Sequence, residues 1–128
     1  QTEYGLSANI NKQEEIASDK IQIIKQGQDE NRSIKINCSN SSELQNMQIK
    51  IKAVERTGEF EYKETTNSTK QISIDTTKID IANKDSLEQN INITFKSGLQ
   101  SGTYRILVEL YDEYGQFRTS DYVNFIVD

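Results

Sequence analysis

The sequence has no histidine, no tryptophan and no proline, and only one cysteine. Without histidine there is no catalytic triad or zinc site of the usual type. The lone Cys38 cannot close an internal disulfide, although a domain of this size needs no staple and an extracellular setting stays open. No apolar run approaches the roughly 18 residues of a membrane span. No signal peptide is read, so any leader or anchor is expected outside this segment. Positive charge is also in deficit: 15 Lys and Arg against 20 Asp and Glu leave a net charge of -5. That balance argues against nucleic acid or an anionic membrane as the main partner.

What is present reads as one domain over 1-128, long enough to bury a core. Apolar residues make up only 34%, which is lean for a helical bundle but sufficient for two thin sheets with one wet face each. Isoleucine, tyrosine, valine and phenylalanine dominate the apolar set, and these types favour strands.

The stretch around which the chain is organised is SGTYRILVELYDEYGQF, Ser101 to Phe117. Tyr104, Ile106, Val108 and Leu110 alternate with Arg105, Leu107, Glu109 and Tyr111, a period of two that marks a strand. Asp112 to Gly115 form a short polar loop, with Gly115 where a hairpin needs positive φ. Phe117 begins a second strand, whose alternation resumes at Val123, Phe125 and Val127.

Upstream, residues 3 to 10 alternate through Tyr4, Leu6, Ala8 and Ile10 as a first strand. Asn11 to Asp19 reads as a loop or one helical turn, and 20 to 25 as a strand in preference to a helix from Lys12 to Gln26. RSIKINC at 32 to 38 is a clean strand with Ile34, Ile36 and Cys38 inward. Ser39 to Gln45 is expected to turn. Met47, Ile49, Ile51 and Ala53 mark a second strong strand, expected to pair nearby, and Phe60 and Tyr62 a short one. Thr65 to Thr69 reads as a polar tip before a strand at Ile72 and Ile74. Thr76 to Gln89 reads as an irregular connection with a helical turn near Lys84 to Leu87, and Ile91, Ile93 and Phe95 as a strand. Gly98 and Gly102 bracket the corner into the stretch described above. Eight or nine short strands without a long helix are the pattern of an antiparallel sandwich.

LQSGTYRI resembles the corner that leads into the penultimate strand of immunoglobulin-like domains. The resemblance implies an all-β, antiparallel Ig-like β-sandwich of about 7-9 strands, with Gly102 and Tyr104 in structural roles beside that of Gly115 in the hairpin. In that likeness the Tyr104 hydroxyl bonds back to the corner backbone, and Ile106 stands where many antibody domains carry their second cysteine. The strand of Cys38 would supply the first, but its partner and the core tryptophan are missing. The chain therefore resembles the disulfide-free Ig-like modules of bacterial surface proteins. YGLSANI, Gly27-Gln28, RSIKINC, SNSSE and TGEFEY are also similar in order to peptidoglycan-binding Ig-like domains of Gram-positive cell-surface proteins. Abundant Ile, Asn and Lys with scarce Arg agree with an AT-rich genome.

For chemistry, Cys38 in an inward position reads as a small buried hydrophobe rather than a nucleophile. Asp112, Glu113 and Asp121 lack the spaced ligand series of a calcium loop and read as solvated carboxylates, as do Asp75, Asp80 and Asp85. No metal and no cofactor is expected. An isopeptide bond between Asn124 and Lys35 or Lys50 would need inward side chains, and all three read as outward. Asn31, Asn37, Asn40, Asn67 and Asn92 sit in N-x-Ser/Thr sequons, which matter only in a secreted eukaryotic protein. Tyr111, Tyr114 and Tyr122 gather around the last hairpin as candidate ligand contacts, set against ordinary cross-strand pairing.

Three functions are consistent with this reading. The first is a noncatalytic extracellular or cell-surface module with a structural, adhesion or interaction role. The second is a carbohydrate or peptidoglycan-binding module using the tyrosines. The third is an accessory domain of a secreted enzyme. A protein or cell-wall glycan partner and a monomeric state are expected.

Overall fold

A computed structural model describes residues 4–11, 21–82 and 84–128. Its elements are β1 Tyr4–Ile10, β2 Ile21–Ile24, β3 Glu30–Leu44, β4 Met47–Gly58, β5 Glu61–Lys63, α1 Thr66–Gln71, β6 Ile72–Ile74, β7 Lys78–Ile81, β8 Lys84–Phe95, β9 Gly102–Tyr111 and β10 Phe117–Val127. The first sheet runs β1-β3-β8-β6, and the second β2-β10-β9-β4-β5 with β7 also on β4. Ten strands among the described residues slightly exceed the seven to nine expected, because the chain inserts short strands beside the long ones.

The inward residues follow the alternation. Ile34, Ile36 and Cys38 of β3 and Ile91, Ile93 and Phe95 of β8 face Ile49 and Ile51 of β4, Tyr104, Ile106, Val108 and Leu110 of β9, and Val123 and Phe125 of β10 in one buried cluster. Each fully buried aliphatic or aromatic side chain contributes about 1.5–3 kcal/mol relative to exposure. β9 pairs antiparallel with β10 through a register shift between Phe117 and Thr119. β4 pairs with the adjacent β5 at its end and with β9 along most of its length, while β3 lies in the other sheet.

Four segments differ from expectation. The run from Ser39, expected to turn, stays extended to Leu44. Continued pairing with β8 through an irregularity carries the chain far enough to bury Leu44 completely. The turn falls at Asn46, which takes φ 51, a left-handed conformation that asparagine tolerates. The expected tip at Thr65 to Thr69 is α1 with Thr65 as its cap: Thr65 Oγ1 accepts from Ser68 N and Ser68 Oγ accepts from Thr65 N, both at 3.0 Å. Such reciprocal bonding satisfies donors that a short helix leaves open. Thr76 to Gln89 contains no helical turn at Lys84 to Leu87 but the strand β7 and the first half of β8; Ile79 and Ile81 enter the core from β7. Phe60 is not in a strand but stands 92% exposed in the turn before β5.

The strand expected at 20 to 25 is β2, and it pairs parallel to β10. Its buried residues are Gln22 and Ile24, so Ile21 and Ile23 point outward. The reading of Asn11 to Asp19 lies outside the described residues beyond Asn11. Side chains guard the backbone on this side of the sandwich. Arg32 Nη2 donates to the Ile23 carbonyl at 3.2 Å, Gln22 Nε2 to the Ile21 carbonyl at 3.1 Å, and Asp121 Oδ2 accepts from Ala8 N at 2.8 Å. Occupied edge groups do not template another chain's strand.

Candidate functional site

The two outer faces are unlike. On the first sheet, the register aligns Gly5, Ser7 and Asn9 of β1 with Ser39, Asn37 and Lys35 of β3, and these with Ser86, Glu88 and Asn90 of β8. Asn31, Ser33, Asn92 and Thr94 continue the same polar face. On the second sheet, the outward set includes Val54 of β4, Tyr62 of β5, Leu107 and Tyr111 of β9, Phe117, Tyr122 and Ile126 of β10, and Ile21 and Ile23 of β2. Ile21, Ile23 and Ile126 are 47%, 54% and 37% exposed on adjacent strands. Solvent-facing strand residues are ordinarily polar, so this apolar strip is the feature that pure folding does not require.

The centre of that face is Arg105. Its guanidinium carbon lies 3.8 Å from the Tyr62 ring centroid and 3.9 Å from that of Tyr122. Tyr62 reaches it from the β4 side of β9 and Tyr122 from the β10 side, so the two rings approach the guanidinium from either side. Arg105 Nε donates to Asn124 Oδ1 at 2.8 Å, which fixes the plane. The register places Val54 opposite Arg105, and Val54 is only 3% exposed although it points away from the core. Whereas Arg32 and Arg118 pair with Glu30 and Asp112, no carboxylate lies within ion-pair distance of Arg105 among the described residues. Among the described paired residues, Lys50, Lys52, Arg56, Lys78 and Arg105 share the face with Asp80 and Glu109, five positive charges against two negative, on a chain whose net charge is -5.

The three tyrosines around the last hairpin occupy different settings. Tyr111 packs edge-on against Phe117 with centroids 5.9 Å apart, beneath Lys50 Nζ at 4.8 Å. Tyr122 sits opposite Leu107, four residues along β9 from Tyr111, or roughly 13 Å at strand rise. Both belong to the second sheet's outer face. Tyr114 stands apart at the hairpin tip, 84% exposed.

The tip itself is built by Asp112. Its Oδ1 accepts from Tyr114 N and Gln116 N, both at 2.9 Å, and its Oδ2 from Arg118 Nε at 2.9 Å; Gly115 supplies φ 78. The bond from the Gln116 amide leads the causes that hold this carboxyl below its usual range, with the Tyr114 amide and Arg118 adding to it. A lowered folded value means that the contribution to stability is complete above the ordinary aspartate value near 3.9 and is lost as pH falls through the lower folded one. The Tyr114 and Gln116 amide resonances are expected to titrate with a midpoint below that ordinary value. A midpoint at or above it would contradict this loop geometry.

Most of the remaining candidates are structurally engaged. Asp121 accepts from Ala8 N across the edge of the sandwich, Glu113 is exposed, and Asp75 accepts from Asn92 N and Nδ2. No group of three metal-ligating side chains occurs among the described residues. Lys35 pairs with Glu88 on the first sheet's outer face, opposite to Asn124, and Lys50 lies toward the far end of the second sheet beside Tyr111. Neither Lys35 nor Lys50 is therefore placed for an isopeptide bond to Asn124. Asn67 Nδ2 is spent on Glu55 and Tyr104. At the corner, Gly102 has φ 155 and Tyr104 Oη donates to the Gln100 carbonyl at 2.6 Å.

Burial pushes the Cys38 thiol up to about 11. Against an ordinary value near 8.5, that lowers the thiolate fraction at pH 7 by roughly two orders of magnitude. Ellman's reagent is expected to label Cys38 at least about 100-fold more slowly in the native domain than in denaturant; comparable rates would contradict its place in the core.

No family model matches this chain, and no curated protein matches it either. Solved structures do. A FixG-related protein from Vibrio parahaemolyticus aligns over 98% of this chain and 96% of its own length, with TM-score 0.58 and 11% identity. The E. coli chaperone DraB aligns over 97% of this chain with TM-score 0.56 and 7% identity. The class 5 fimbriae chaperone CfaA aligns over 94% with TM-score 0.52 and 14% identity. The chain spans about half of each chaperone, 54% and 55%. At such identities the likeness carries the architecture alone, and with the two sheets described above it makes this chain an all-β, immunoglobulin-like sandwich.

Proposed function

We propose that this chain is a noncatalytic module of a bacterial cell-surface or secreted protein that works by binding through the outer face of its second sheet. The single observation that carries this reading is the inequality of the two outer faces. One is polar throughout its paired strands, and the other carries stacked aromatics, an isoleucine strip and an excess of positive charge. Aromatic and arginine side chains supply most of the energy of protein recognition surfaces. The surface setting is supported by the resemblance of the chain to disulfide-free Ig-like modules of bacterial surface proteins, and by the similarity in order of YGLSANI through TGEFEY to Gram-positive cell-surface domains.

A glycan-binding reading has its own support in Tyr114, whose ring is open at the hairpin tip and able to stack on a sugar. Sedimentation with isolated Gram-positive cell wall, before and after its proteins are stripped, separates the two. Binding that disappears with the wall proteins supports the protein-interaction module. Binding that survives stripping supports the glycan reading, and no binding by the folded domain to either preparation counts against a wall partner.

A further inference from the structure

Resting on that reading of the second sheet, we infer that the Tyr62–Arg105–Tyr122 stack receives a carboxylate side chain of an acidic protein partner, whose apolar residues lie on the neighbouring isoleucine strip. Arg105 is the point of capture. Two rings lie against it and its Nε–H is taken by Asn124, so the two Nη groups, which make no hydrogen bond among the described residues, are what it offers a ligand. A carboxylate presents two oxygens in one plane and suits that fork. Ring stacking also limits the rotational freedom that an exposed arginine would otherwise lose on binding.

The surroundings select the partner. Among the described paired residues of this face, positive charges outnumber negative ones by five to two, which complements an acidic segment and disfavours a basic one. Ile21 lies across from Asn124 and Ile23 across from Ile126, so the exposed strip begins one strand away from Arg105. Branched aliphatic side chains bury apolar area well but offer no flat ring for a pyranose to stack on. A carboxylate beside aliphatic contacts therefore points to a protein segment rather than an acidic glycan.

The test uses the full chain, nitrogen-15 labelled, with three probes: an end-capped hexapeptide alternating leucine and glutamate, its glutamine counterpart, and polygalacturonate. The acidic peptide is expected to shift the Arg105 Nε–H and the Ile21, Ile23 and Ile126 amides saturably, and the glutamine peptide to bind at least tenfold more weakly. Arg105→Gln is expected to lose at least tenfold, and Arg105→Lys, which keeps the charge without the fork, at least fivefold. Unchanged thermal melting and amide dispersion serve as the check that both variants fold. Equal binding of the two peptides, native binding by Arg105→Gln, or absence of saturation overturns the inference. So does tighter binding of polygalacturonate, or a concentration-dependent shift of these signals in the protein alone, which would make the occupant a second copy. In the wall assay, loss of binding by Tyr62→Ser/Tyr122→Ser but not by Arg105→Gln removes the carboxylate site and leaves the binding face. Loss by neither removes both.

Discussion

Replacing Phe125 by alanine is expected to destabilise the domain by about 3–5 kcal/mol, the range for deleting a buried aromatic ring and leaving a cavity. Phe125 belongs to the second sheet and Phe95 to the first, and their rings lie 4.7 Å apart at 45° with neither exposed. The pair therefore joins the two layers in addition to filling space, and tilted aromatic contact adds to simple area burial. Domains of this kind have about 5–15 kcal/mol of total stability, so the variant is expected to melt roughly 9–25 °C lower, taking roughly 3–5 °C for each kcal/mol. Phe60→Ala is the control. It removes the same side chain from a site that is 92% exposed and is expected to stay within about 0.5 kcal/mol of the parent. Similar denaturant midpoints for the two variants would contradict the assignment of the core.

Tyr104→Phe is expected to cost about 1–2 kcal/mol, more than a surface hydroxyl and less than a core ring. The ring stays buried in the substitution, so the loss isolates the hydroxyl. Tyr104 Oη donates to the Gln100 carbonyl at 2.6 Å and accepts from Asn67 Nδ2 at 2.5 Å. Asn67 and Thr65 Oγ1 both reach Glu55 Oε1, and Ser68 Oγ donates to the Ala53 carbonyl. The hydroxyl thus ties the corner before β9 to α1 and, through α1, to β4. Burial, with the nearby Glu55 charge second, raises the phenol above its ordinary value. It therefore stays protonated, and able to donate, through the neutral range. An unchanged melting temperature in Tyr104→Phe would show that this network contributes nothing to stability.

How far the sequence reveals this architecture depends on where each element finds its partners. The alternation at β3, β8, β9 and β10 is intrinsic to the chain, and the buried residues there follow it. Ser39 to Leu44 reads as a turn by composition, yet pairing with β8 keeps it extended, a tertiary preference that no local window contains. α1 escapes because it has six residues and its cap uses Ser68 in the third helical position, where the familiar signal is Glu or Gln. β7 escapes because four residues give only two alternations.

The candidate surface was half legible for the same reason. Tyr111 and Tyr122 lie in strands whose outward positions can be counted, and both fall on one face. Arg105 has the same outward parity, but its importance comes from Tyr62, which lies more than 40 positions earlier and is brought near only by pairing of β5 with β4 and of β4 with β9. The isoleucines of β2 were visible as an apolar cluster. That Ile21 and Ile23 face outward while Gln22 faces inward follows from the parallel register with β10, which the sequence alone does not specify.

The central claim is that one face of the sandwich recognises a partner and the other does not. The most direct measurement compares wall binding by two folded double variants, Tyr62→Ser/Tyr122→Ser on the second sheet and Ser33→Ala/Asn37→Ala on the first. The account predicts at least a tenfold loss for the second-sheet pair and parent-like binding for the first-sheet pair. A loss confined to the first-sheet pair, or parent-like binding by both, would contradict it.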